Sequence, residues 1–141
     1  MTKFYPNIAL VTPLKNELNN IGNYIKSIEN QSIPIKCLVI IENDSDDGSR
    51  EYLEKITNIK NVEYLKIIHL SFEDKTYRVG KKYATIVSKG FLYLKEQKYY
   101  DNLDFIGILD SDIFPETDYY LKLANFLKNK SDVGITSGLI Y

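Results

Sequence analysis

Residues 35–41, IKCLVII, are apolar at successive positions rather than alternate ones, with Lys36 the single exception. A strand that faces water on one side alternates apolar and polar residues, so this β-branched run reads as a central strand of a parallel sheet, covered on both faces. Such a strand needs helices above and below it, and the rest of the chain alternates accordingly. NIALVT (7–12) is a strand-length apolar run with Pro13 as its stop. Leu18, Ile21, Ile25 and Ile28 recur at helical spacing and predict an amphipathic helix over about 18–30. After the acidic stretch ENDSDDGS, REYLEKI reads as a short helix and VEYLKIIHL (62–70) as a third strand. Val79, Tyr83, Val87, Phe91 and Leu94 mark the inner face of a long helix over 79–97, and LDFIGIL (103–109) is the next strand. Pro115 fits the first turn of a helix running to Leu127, with Glu116 and Asp118 where the helix dipole favours acids. VGITSGLIY is expected to close the chain as a strand. Short connections between alternating elements imply a mostly parallel sheet with right-handed crossovers.

Composition narrows the function classes. The chain has 141 residues and a formal net charge of -1, with no basic block, which argues against a nucleic-acid partner. The one cysteine, Cys37, lies inside the central apolar run and reads as a small core hydrophobe, so no internal disulfide is available. There is no signal-peptide pattern and no apolar run approaching the ~20 residues of a membrane span. A soluble, cytoplasmic chain is expected.

In a parallel sheet, ligands bind beyond the carboxyl ends of the strands. Three polar segments fall there: TPLKNE after the first strand, ENDSDDGS after the second and DSD after the fourth. Neither GxGxxG nor GxxxxGK[ST] is present, which removes the usual dinucleotide and P-loop readings. Asp46, Asp47 and Ser49 are expected to turn the chain and cap the next helix. Glu42 and Asn43, adjoining the strand end, are expected to meet a ligand's hydroxyls or base N–H groups. Asp110 and Asp112 end an apolar strand, expected to be a central one, one residue apart. On an extended chain they share a face at ~6–7 Å and repel unless a cation intervenes. A turn is the competing reading, but the context favours a hard cation, Mg²⁺ or Mn²⁺, bridging to a diphosphate.

With these three segments in place, the chain resembles the N-terminal, nucleotide-binding part of family 2 glycosyltransferases of the GT-A fold. That family reads roughly P-[TL]-[YK]-N-E, then V-V-D-D-G-S-x-D-G-[ST], then L-D-x-D. The matches are Pro13-Leu14-Lys15-Asn16-Glu17, then Val39 to Ser49, then Leu109-Asp110-Ser111-Asp112, and together they span essentially the whole chain. The resemblance implies a Rossmann-like α/β sandwich, one nucleotide-sugar-binding domain over 1–141. It implies that Pro13, Leu14, Asn16 and Glu17 border the base and ribose together with Glu42, Asn43 and Asp44. Asp112 would ligate the metal, with Asp110 and Ser111 near the ribose or sugar and Asp110 as a further metal ligand. Lys82, or else Arg78 or Lys81, would approach the nucleotide, a solvated helix face being the competing reading. Glu42-Asn43 replaces the commoner Asp-Asp, and Ser88-Lys89-Gly90 stands where relatives carry Asn-x-Gly.

The function so implied is transfer of a sugar from a nucleoside diphosphate sugar, UDP-linked by preference, to an acceptor hydroxyl with inversion. The acceptor is a saccharide, a lipid-linked group or a protein. Such chemistry needs a cation to stabilise the leaving diphosphate and a carboxylate base for the acceptor. No base is assigned, because Glu116 and Asp118 read as helix-start acids. The chain is therefore expected to be the donor-binding portion of a larger transferase. A sugar-nucleotide pyrophosphorylase would want a glycine-rich loop after the first strand, and a receiver-type domain an acidic pair there. A non-catalytic nucleotide-binding remnant is the remaining alternative. The lone His69, without a partner histidine, reads as structural or exposed.

Overall fold

A computed structural model describes residues 5–73 and 79–138 of the chain. Its centre is the run that is apolar on both faces: β2 (Ile35–Asn43) lies between β1 (Ile8–Leu14) and β3 (Val62–Leu70), and β4 (Phe105–Ile108) flanks β1 on the other side. All pairings are parallel, in the order β3-β2-β1-β4. The helices are α1 (Leu18–Glu29), α2 (Ser49–Glu54), α3 (Val79–Lys95) and α4 (Tyr119–Asn129). The architecture is a Rossmann-like α/β fold.

Residue parity splits the core in two. Ile8 and Leu10 of β1 with Leu38 and Ile40 of β2 pack against Ile21, Tyr24 and Ile28 of α1, Leu53 of α2, and Tyr120 and Ala124 of α4. Ala9 and Val11, with Cys37, Val39 and Ile41, pack under Ile86 and Leu94 of α3. The α3 helix sits very close to the sheet, because a Cβ on Gly90 would stand only 2.4 Å from Val11 Cγ1 and 3.0 Å from Ile41 Cδ1.

Five expectations need correction. Pro13 does not stop β1 but lies within it, paired with Ile41 of β2. Backbone groups of alternate residues point to the same side of a strand, and the Val11 carbonyl already faces β4, where it accepts from Leu109 N–H. The missing N–H of Pro13 thus points beyond the last β1–β4 pair, where no ladder bond is lost. Second, β4 is an edge strand among the described residues rather than a central one. Third, α4 begins at Tyr119, after Pro115 and Glu116. The carbonyl oxygens of both accept from Gln31 Nε2, and that of Thr117 accepts from Ser32 N–H, so this stretch docks on the α1–β2 connection instead of coiling. Fourth, residues 133–138 form no strand, and 139–141 lie outside the described residues. Val133 N–H closes on the Lys130 carbonyl and Gly138 N–H donates to the Tyr119 hydroxyl. Fifth, Tyr83 is 41% exposed, and the inner face of α3 is centred on Ile86, Val87, Gly90 and Leu94.

With four parallel strands, every C-terminal strand end lies on one edge. The chain steps outward from β1 through β2 to β3, then returns to place β4 on the opposite side of β1. The C-terminal ends of β1 and β4 therefore flank the topological switch point, the place where open α/β sheets bind ligands.

Candidate functional site

The loops after β1 and β2 are tied into one body by side chains that cap backbone groups. Asn16 and Asp44 take left-handed conformations, φ 53° and 47°, which their short polar side chains tolerate. Asn16 N–H donates to Ser45 Oγ (3.0 Å), and Asp46 N–H donates back to Asn16 Oδ1 (2.8 Å). Glu17 N–H donates to Ser49 Oγ (2.9 Å) and Leu18 N–H to Asp47 Oδ2 (3.0 Å), while Asp47 Oδ1 accepts from Ser49 N–H (2.9 Å). One carboxylate thus caps the start of both α1 and α2, a role that nearby backbone N–H groups at helix starts favour. The Ser49 hydroxyl, and next the Leu18 amide, hold the Asp47 carboxyl below the usual aspartate range.

Glu42 is 1% exposed, and both carboxylate oxygens are occupied. Oε1 accepts from Ser45 N–H (2.7 Å), and Oε2 lies 2.7 Å from Nδ1 of His69, its register partner on β3. Glu42 is therefore a structural post, which corrects the expectation of ligand contact, and His69 is its partner rather than a metal ligand.

The end of β4 differs. Asp110 to Asp112 do not continue the strand: Ile113 N–H bonds the Asp110 carbonyl (3.1 Å), closing a turn. The extended geometry that would set both carboxylates on one face does not hold. The turn nevertheless brings both to the same cleft. This cleft, about 320 Å³, lies at the switch point between β1 and β4. Its walls are Pro13 and Leu14 from the end of β1, Lys15 and Glu17 from the loop after it and Asn43 from the end of β2. Lys82, Tyr83 and Ile86 of α3 and residues Asp110, Ser111 and Asp112 of the turn complete it.

Three features of the cleft bear on ligands. Asn43 is buried and lines the cleft, and its Oδ1 has no hydrogen-bond partner among the described residues. Buried polar atoms are nearly always satisfied, so this amide holds unused hydrogen-bonding capacity beside the cleft. Asp112 is exposed and makes no hydrogen bond or ion pair with the described residues. Asp110 is half-buried, and its Oδ1 accepts from the Tyr83 hydroxyl at 3.0 Å. Partial burial, and then Asp110 itself, raise the Tyr83 phenol above its ordinary range. Lys82 Nζ stands 5.5 Å from the centre of the Phe72 ring. Among the described residues no group of three or more His, Cys, Asp or Glu side chains could hold a metal ion. The turn thus supplies a two-carboxylate, all-oxygen set. That donor set fits a hard dication that takes its remaining ligands from phosphate and water.

Of the residues expected from sequence, Pro13, Leu14, Glu17, Asn43, Lys82, Asp110, Ser111 and Asp112 meet in this cleft. Asn16, Glu42 and Asp44 do not line it; Asn16 and Glu42 brace the loops, and Asp44 Oδ2 accepts from Phe72 N–H (3.1 Å). Lys81 is exposed away from the lining, and Arg78 lies outside the described residues. Lys15, inside the first motif, lines the cleft as well, whereas sequence reasoning missed Tyr83 and Ile86. The available signal was their position in the first two turns of α3, next to Lys82.

Comparison with known proteins agrees with this geometry. The family model described as "Glycosyl transferase family 2" matches residues 9–140. Two proteins of Oryza sativa subsp. japonica, named "Probable glucomannan 4-beta-mannosyltransferase 4" and "2", are 26% and 25% identical over 138 residues. Each match takes in 93% of this chain but only 23% and 22% of those proteins, so the chain spans under a quarter of their length. Among solved structures, S. aureus TarS 1–349 in complex with UDP superposes with a TM-score of 0.61 at 21% identity, over 89% of this chain and 33% of TarS 1–349. The mannosyltransferase PcManGT from Pyrobaculum calidifontis, in complex with GDP-Man and Mn²⁺, superposes with a TM-score of 0.55 at 19% identity, over 92% and 33% of the two chains. These likenesses show the fold.

Proposed function

The chain belongs to glycosyl transferase family 2, and on that premise we propose that its cleft is the donor site of a glycosyltransferase, binding a nucleoside diphosphate sugar with a divalent cation. The observation that carries the reading is the meeting, in one cleft, of Asn43 from the end of β2 and the aspartate pair of the turn after β4. An amide beside a base accepts from a ring N–H and donates to the adjacent carbonyl, a pattern that uracil and guanine both offer. In this reading Glu17, which lines the cleft with Pro13 and Leu14, accepts from ribose hydroxyls, and Lys82 meets the diphosphate.

Asp112, with Asp110, would hold Mn²⁺ or Mg²⁺. When bound, the cation supplies Lewis-acid stabilisation of the charge that develops on the leaving diphosphate. The reading includes a single displacement with inversion at the sugar carbon, its acceptor base belonging to no residue assigned here. UDP is the first nucleotide to test, because TarS was solved with it, and GDP the second, because PcManGT was solved with GDP-Man.

The test is thermal unfolding with UDP, GDP or ADP, each with and without Mn²⁺. One nucleotide plus Mn²⁺ should raise the midpoint by roughly 5–10 °C at about 100 times its dissociation constant. Asp112→Ala should abolish the rise. No response to any nucleotide contradicts the reading. Release of free sugar from the matching donor would then separate a working transferase from a nucleotide-binding remnant.

A further inference from the structure

The two aspartates of the turn are not equivalent. Asp112 is exposed and makes no bond within the described residues, whereas Asp110 is half-buried and holds a phenol. That phenol comes from the opposite side of the cleft, one turn into α3. The helix is a firm support: Ile86 and Leu94 are buried, and Gly90 rests directly on Val11 and Ile41. Tyr83 itself is not part of that packing. It is 41% exposed and stands in the cleft wall, so its position needs another reason than filling the core.

We propose that Tyr83 is a positioning residue: its hydroxyl fixes one oxygen of Asp110, so that only the other oxygen is turned toward the ligand. The inference rests on the donor-site reading above and adds a residue to it. A carboxylate at the first position of a surface turn has two free torsions, and either oxygen serves equally well as ligand. A phenol O–H donates one directed hydrogen bond, and a bond to an ionised acceptor is stronger than a neutral one. Oδ1 is engaged by it at 3.0 Å, and among the described residues Oδ2 has no partner. Asp110 thereby acts as a one-oxygen, fixed group, and Asp112 as the adjustable one. Lys82, next in sequence, is turned to Phe72 and does not compete for Asp110.

The test is a double-mutant cycle on the full chain, with UDP as probe in saturating Mg²⁺, which is diamagnetic, followed by NMR so that millimolar affinities are readable. GDP replaces UDP if thermal shift selects it. Tyr83→Phe, which removes one oxygen atom, should weaken binding ~5–10-fold while the unfolding midpoint stays near wild type. In an Asp110→Ala background the same substitution should change affinity less than ~2-fold, because the group it acts through is gone. An equal loss in both backgrounds means that the phenol touches the nucleotide itself, and overturns the proposal. So does an unchanged affinity in Tyr83→Phe alone. If Asp110→Ala binds too weakly to compare, a ¹³Cζ-tyrosine label decides. The Tyr83 signal should move little on adding UDP and Mg²⁺, and a large displacement shows that the phenol has left Asp110. A wild-type chain that binds no nucleotide in the presence of Mn²⁺ defeats the donor-site reading instead, and this inference with it. Loss of binding in Asp112→Ala but not in Tyr83→Phe defeats this inference alone.

Discussion

The segment 42–49 after β2 and the turn 110–113 after β4 are both acidic and both follow the C-terminal end of a strand. In the first, polar groups face inward: Glu42 is saturated by Ser45 and His69, Asp47 caps two helices, and Ser49 bonds Glu17. In the second, among the described residues, Asp112 makes no bond and Asp110 has one, to a side chain of the cleft wall. The difference teaches that acidity alone does not mark a site. What marks it is carboxylate capacity left open where the fold makes a cleft. The first segment reaches the cleft only through Asn43, whose Oδ1 has no partner among the described residues.

The contrast can be broken in order of expected effect. Glu42→Ala should be the most damaging to folding, by about 3 kcal/mol, since it strands the Ser45 amide and the His69 ring beside a new cavity. Urea unfolding measures it, and a loss under about 1 kcal/mol would show that the buried post is dispensable. Asp112→Ala should leave stability within about 0.5 kcal/mol, as exposed substitutions do, while metal-dependent nucleotide affinity falls by more than the ~10–100-fold typical of outer-shell changes. Gly90→Ala should destabilise by about 1–3 kcal/mol despite the better helix former, because the new methyl overlaps Val11. It should also weaken nucleotide binding by shifting Lys82 and Tyr83, which calorimetry would read.

The smallest effect concerns pH. Asp47 has a lowered folded value, so its contribution is present above the unfolded aspartate value of ~3.9 and is lost as pH falls through the folded one. Asp47→Asn should therefore lower the unfolding midpoint at neutral pH, and the two chains should converge in acid. Parallel curves down to acid would remove Asp47 from the capping role.

Much of the architecture was legible. The doubly apolar run at 35–41 placed β2 at the centre, and three polar segments were assigned to one edge from the parallel order alone. The inner face of α3 was not, because Gly90 has no side chain to register as apolar although it sits at the closest contact. The periodic count then promoted Tyr83 to the core. Glu42 was misread for a related reason: acids are almost never fully buried unless paired, and its partner His69 lies 27 residues away, joined only through strand register. Pro13 looked like a stop because the side to which its nitrogen points depends on where β4 ends. Contacts of this kind belong to the tertiary structure, and local pattern carries no trace of them.

The central claim is that the open pair on the turn holds a cation jointly with a nucleotide diphosphate. Electron paramagnetic resonance of Mn²⁺ titrated into the protein tests it directly. The account predicts weak binding of Mn²⁺ alone, a sharp gain when UDP or GDP is added, and no gain in Asp112→Ala. Mn²⁺ binding that is indifferent to nucleotide, or that survives Asp112→Ala unchanged, would contradict it.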